Sequence, residues 1–149
     1  MSLQNTITKV IAVLVAAITP VGDYSDCKGI YEGDQAAFSA YPVICVGVPS
    51  LLDENFPVIA RQSVRDESHA IEIVAYVEYA DTVANTRQIV TLTDSIRTAL
   101  RNDIKVAAGP LGGGTYYQGA VETSNFVFGA KGDKLLRVSV TIVKYIERI

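Results

Sequence analysis

Histidine is almost missing from this sequence, cysteine is scarce, and charged residues make up only 19% of the 149 positions. Each shortage narrows the chemistry open to the chain. His69 is the single imidazole, so a site built on several histidines is excluded. It sits beside Asp66, Glu67 and Ser68, but no GxSxG turn presents a serine nucleophile, and a lone histidine among acids reads as a solvated loop residue. The two cysteines, Cys27 and Cys45, form no CxxC pair, which argues against a disulfide scaffold and for a reducing cytosol. Cys45 lies in the apolar run Val43–Val46 and reads as a buried thiol.

Positive charge is not in excess either. The net charge is −3 and the pI is near 5.1, whereas duplex-binding proteins carry a basic footprint. No apolar run reaches the roughly 18–20 residues of a membrane span. The stretch Val10–Ile18 imitates the apolar part of a signal peptide, but its helical spacing continues back to Leu3. Phosphate-binding loops are missing: GPLGGG at 109–114 lacks the following Lys-Ser/Thr, and it reads as a linker. The acids Asp23, Asp26, Glu32 and Asp34 fail the spacing of a calcium loop and read as turn formers. No cofactor, metal or catalytic set is expected.

What the chain does have is apolar residues, 49% of the total, in one domain-sized length. That is rich for a chain with so little charge, and it suggests a surface covered by a partner. Leu3, Ile7, Val10, Ile11, Leu14, Val15 and Ile18 recur at helical spacing. Tyr41–Val48 reads as a central strand, with Pro42 at its start and a short strand possible before it at Ile30–Glu32. Residues 50–67 read as a mixed-charge loop or a strand extension broken by Pro57. Ala70–Tyr79 alternates, with Ile71, Ile73, Ala75 and Val77 on one side and Glu72, Val74, Tyr76 and Glu78 on the other.

A second helix follows, capped by Asn85 with Gln88 at capping-box spacing and buried through Ile89, Leu92, Ile96 and Leu100. Tyr116–Phe128 reads as a strand kinked at Gly119, Gly129–Asp133 as a hairpin turn of five residues, and Leu135–Glu147 as a last strand. In that strand Leu136, Val138, Val140 and Ile142 are expected to face in, and Arg137, Ser139 and Thr141 out.

The expected fold is therefore α+β: an antiparallel four-stranded sheet with two helices on one face, in the order α-β-β-α-β-β, as a single domain over 1–149. The other face is expected to lack cover from its own chain and to carry Glu72, Val74, Tyr76, Glu78, Arg137, Ser139, Thr141 and Val143. Its Val and Tyr content suggests an oligomer surface. Arg61, Arg65, Tyr76, Tyr116, Tyr117 and Arg137 are the candidate subunit-interface residues. Acids gathered at 21–36 and bases at 131–149 are compatible with head-to-tail packing.

This layout resembles the tail-terminator, or tail-completion (neck), family of long-tailed bacteriophages. The likeness rests on the opening helix Leu3–Ile18, the strand at Tyr41–Ile44, the strand Ile71–Tyr79, the helix segment Leu92–Leu100 and two closing strands. It spans most of the chain as a pattern, not as a chemical signature. The resemblance implies a non-enzymatic virion protein, assembled in the bacterial cytoplasm, that forms a hexameric ring. Such a ring ends the tail tube, docks the head-tail connector and leaves a channel for DNA without reading its sequence. Its partners would be copies of itself, the tail tube protein and the connector. An alternative also fits the element order. Moving the first strand of a ferredoxin-like βαββαβ unit to its end gives αββαββ, a layout suited to a ligand-binding or regulatory module.

Overall fold

A computed structural model of the chain describes residues 3–18, 27–48, 59–63, 66–103, 116–121 and 125–148, with side chains described over 3–18, 27–48, 69–103 and 126–145. The elements are α1 (Leu3–Ile18), β1 (Gly29–Glu32), β2 (Val43–Gly47), β3 (Ile59–Ser63), β4 (Asp66–Glu78), α2 (Val83–Asp103), β5 (Tyr116–Val121), β6 (Asn125–Lys131) and β7 (Lys134–Arg148).

The α+β class holds, but the sheet is larger than four strands and is not wholly antiparallel. Seven strands form one sheet along the path β1-β2-β4-β7-β5, with β3 also on β4 and β6 also on β7. β1 runs parallel to β2, and every other pairing is antiparallel. The centre is the ladder between β4 and β7, which pairs Asp66 with Arg148 at one end and Glu78 with Leu136 at the other. Each long strand carries two short ones on its outer side. β2 and β3 share the outer edge of β4, and β5 and β6 share that of β7. The strand expected at 116–128 corresponds to β5 and the start of β6, and residues 122–124 lie outside the described residues. The register shift falls between Gln118 and Ala120, at the glycine where a kink was expected.

Local signals account for the boundaries. The β6–β7 hairpin turns on Gly132 and Asp133 alone, tighter than the five-residue turn expected, because Gly132 takes a φ of 62°. α2 starts two residues before the expected Asn85 cap. Thr82 is the capping residue, its Oγ1 accepting from the Asn85 amide at 3.1 Å. Asn85 is left inside the first turn, and its side chain ties elements together. It donates to the Glu78 carbonyl at 2.8 Å, accepts from the Ala80 amide at 3.0 Å and accepts from Arg137.

Both helices lie on one face, as expected. There Ile7, Val10, Leu14, Ile89, Leu92, Ile96 and Leu100 bury Ile44, Val46, Ile71, Ile73, Ala75, Val143 and Tyr145. Burying a side chain of this size contributes about 1.5–3 kcal/mol, so this layer is the main source of stability. The phase expected for β7 is reversed. Its register sets Arg137, Ser139, Thr141 and Val143 opposite Val77, Ala75, Ile73 and Ile71, all on the helix side. Thr93 of α2 explains how hydroxyls come to lie there. It donates toward the Ile89 carbonyl (2.8 Å) and shares a hydrogen bond with Ser139 Oγ (2.7 Å), which satisfies both buried groups.

The second face is not bare. A parallel pair needs its connection to cross over the sheet, and residues 33–42 make that crossing on the side away from the helices. Phe38 and Tyr41, with Tyr31 and Val140, pack there on Val43, Cys45, Val74, Tyr76, Leu136 and Val138.

Candidate functional site

The richest polar constellation in the described residues lies under that crossing. Asp34 opens it, one residue after Gly33, whose φ of 75° turns the chain out of β1. The Asp34 carboxylate accepts from Tyr76 Oη at 2.8 Å and from the Gln35 amide at 2.8 Å, and it pairs with Lys131 Nζ at 3.0 Å. Lys131 reaches in from the last residue of β6. Its ammonium also donates to the Gln35 carbonyl, and it lies 4.9 Å from the Tyr76 ring centroid and 5.8 Å from that of Phe38. The Lys131 side chain is only 13% exposed, whereas that of Asp34 is 53% exposed. Phe38 is held in turn by Tyr31 (5.1 Å between centroids), Tyr41 (5.9 Å, edge-on) and Tyr76 (6.1 Å).

Beside this cluster runs a groove of about 470 Å³. Val74, Val138 and Val140 form its floor, and Asp34, Tyr76 and Glu72 are among its walls. Partial burial pushes the Asp34 carboxyl up, but the hydrogen bonds from Lys131, Tyr76 and the Gln35 amide, with the Lys131 charge, outweigh it and hold the group below its usual 3.8. Burial, with the Asp34 charge and hydrogen bond, pushes the Tyr76 hydroxyl up. Burial first, and the Asp34 charge second, pushes the Cys45 thiol up to about 12. A thiol held protonated at neutral pH is a poor nucleophile.

The expected interface residues scatter over the molecule. Tyr76 lies within this cluster, 7% exposed and covered by its own chain. Arg137 lies on the helix side of β7. It donates to Asn85 and to the Ala80 carbonyl (3.4 Å), and its guanidinium sits 4.9 Å from the Tyr79 ring centroid and 5.4 Å from that of Phe128. Arg61 is on β3 opposite Glu67, and Tyr116 and Tyr117 are on β5 opposite Glu147 and Ile146. Arg65 and the loop GPLGGG at 109–114 lie outside the described residues, as do Asp23 and Asp26. His69 is a correction: it is not a solvated loop residue but a core position of β4, 1% exposed and opposite Tyr145. Both cysteines are buried, and neither is in a disulfide.

Two features went unread in the sequence. One is the Asp34–Tyr76–Lys131 cluster, which joins residues far apart in the chain and has no local signal. The other is the edge strand β6. Phe126, Val127 and Phe128 are 50%, 52% and 64% exposed there, beside Leu135 at 50%. Phe128 meets the Tyr79 ring edge-on, at 5.7 Å between centroids. Among the described residues no group of His, Cys, Asp and Glu is arranged to hold a metal ion, and no helix is long and apolar enough to cross a membrane. No family model matches the chain, and no curated protein matches it.

Proposed function

We propose that this chain is a structural ring subunit of the tail-terminator type, without enzymatic activity. In this reading copies join through their sheet edges into a hexamer that ends a phage tail tube. The ring meets the head connector on one side and leaves a passage for DNA.

 The observation that carries the reading is β6. It pairs only with β7 among the described strands, so its outer edge offers backbone hydrogen-bonding groups, and it presents Phe126, Val127 and Phe128 to solvent. Phe126 and Phe128 share one face of this free edge, opposite Ser139 and Arg137, and two exposed rings there form the kind of patch that subunit contact buries. A contact between β6 and a different surface of the next copy is heterologous, and a repeated heterologous contact closes into a ring when its rotation allows. Arg61, Arg65, Tyr116 and Tyr117 remain interface candidates in this reading. Tyr76 and Arg137 serve it indirectly, by fixing the surfaces around them. The net charge of −3 suits a passage that does not grip phosphates.

Light scattering on the purified chain tests the proposal. The expected species is a hexamer of the 16.0 kDa chain, and Phe128→Lys is expected to shift it to monomer with its circular dichroism unchanged. A wild-type chain that stays monomeric at high concentration and does not add to tail tubes rules the reading out.

A second reading has an observation of its own. The strands β2-β4-β7-β6 lie in the antiparallel order of a ferredoxin-like unit whose first strand has moved to the end, with β4, α2 and β6 forming a split βαβ around β7. With the groove on the second face, this favours a small ligand-binding module. A dimer that gains thermal stability from a small molecule would favour it over the ring.

A further inference from the structure

We propose that the Asp34–Phe38–Tyr76 cluster is a binding site for organic ammonium groups, filled here by the chain's own Lys131, which an outside alkylammonium can displace. The site has the parts that such a cation needs. Two aromatic faces lie within 4.9 and 5.8 Å of the charge, one carboxylate oxygen is at 3.0 Å, and the Gln35 carbonyl accepts a further hydrogen bond. Its walls do not depend on Lys131. Tyr76 is fixed on β4 and bonded to Asp34, and Phe38 is wedged between Tyr31 and Tyr41.

The occupant is held differently from the walls. Lys131 is one residue from the two-residue turn at Gly132 and Asp133, both exposed, at the tip of the hairpin between β6 and β7. Its withdrawal requires the hairpin tip to move, not the sheet centre. An entry path exists as well. The groove shares Asp34 and Tyr76 with the cluster and has an apolar floor of Val74, Val138 and Val140. A ligand with a primary ammonium on a short alkyl body fits both parts: the stem lies in the groove, and the charge takes the Lys131 position against Asp34. The shared chemistry is that of a lysine side chain from another chain or of a free alkylamine. The site stands independently of the ring reading.

Chemical rescue tests this with n-butylammonium as the probe and n-butanol as its neutral counterpart. Lys131→Ala is expected to bind n-butylammonium saturably, seen as a rise in Tm and as shifts in tyrosine fluorescence, and to ignore n-butanol. The wild type is expected to bind at least about tenfold more weakly, because its own lysine must first leave. Adding Asp34→Asn to Lys131→Ala is expected to abolish binding. A lysine-containing peptide replaces n-butylammonium in a parallel arm, and tighter binding there identifies a protein side chain as the source. If Lys131→Ala does not fold, Lys131→Met keeps the stem and is tested in the same way. The wild type supplies a further readout: n-butylammonium should speed amide exchange in the hairpin at 131–134. Equal responses to n-butylammonium and n-butanol, or no saturable response in a folded variant together with unchanged hairpin exchange, overturn the proposal.

Discussion

On one face of the sheet, two helices bury a broad aliphatic layer centred on Ile71, Ile73, Leu92 and Ile96; on the other, residues 33–42 lay down a few aromatic rings and one ion pair. The first face gains its stability from apolar area, which is insensitive to small changes in solution conditions. The second depends on Phe38, Tyr76, Asp34 and Lys131 acting together, so it responds to charge as well as to volume. A sheet closed by such unlike means can loosen on one side while the other holds.

Ile73→Ala strikes the helix face and should have the largest effect, a loss of about 2–5 kcal/mol in urea unfolding with the whole domain melting together. Phe38→Ala strikes the second face, where the ring is only half-buried. A loss of about 2 kcal/mol is expected, less than for a buried ring. Amide exchange should rise around β1 and the crossing before it rises in α2. If both regions loosen equally, the two faces are one cooperative unit and the contrast fails. Thr93→Val leaves the Ser139 hydroxyl buried without its partner and should cost about 1–2 kcal/mol, showing how far polar contacts matter on the apolar side.

Acid should separate the faces more finely. The folded state holds the Asp34 carboxyl below its ordinary 3.8, so the stability it contributes is complete above that value and is lost as pH falls through the lower folded value. Near-ultraviolet circular dichroism of the tyrosines should follow this loss, and Asp34→Asn should remove that part of the acid dependence. The smallest effect belongs to Lys134. It pairs with Glu78 at 2.9 Å on an exposed part of the sheet, and the hydrogen bond and charge of Glu78 raise its pKa. Lys134→Ala should leave Tm unchanged within error, whereas Lys131→Ala, three residues earlier, should lower it.

Much of the helix face was legible because its signals are local. The spacing from Leu3 to Ile18 and from Ile89 to Leu100 marks the two helices, and the alternation from Ile71 to Val77 marks the inner side of β4. β7 defeated the same logic. Both of its sides contact protein, so alternation alone does not say which side meets the helices, and polarity pointed Ser139 and Thr141 the wrong way. Only Thr93, which is 46 positions from Ser139 in the chain, reverses that choice. The cover on the second face was hidden for a related reason. It follows from β1 running parallel to β2, and four residues, Gly29–Glu32, carry no mark of direction. The candidate site shared this blindness, since Asp34, Tyr76 and Lys131 meet only when the crossing, β4 and β6 are all in place.

The position of β7 bears on how the chain is made. It follows all its sheet neighbours in chain order, yet it lies in the middle of the sheet, flanked by β4 on one side and by β5 and β6 on the other. During synthesis β4 therefore waits with one long edge open until α2, β5, β6 and β7 have followed it. That interval is when a nascent chain is most exposed to pairing with the wrong strand, and it makes closure of this sheet wait on its most distant pairing.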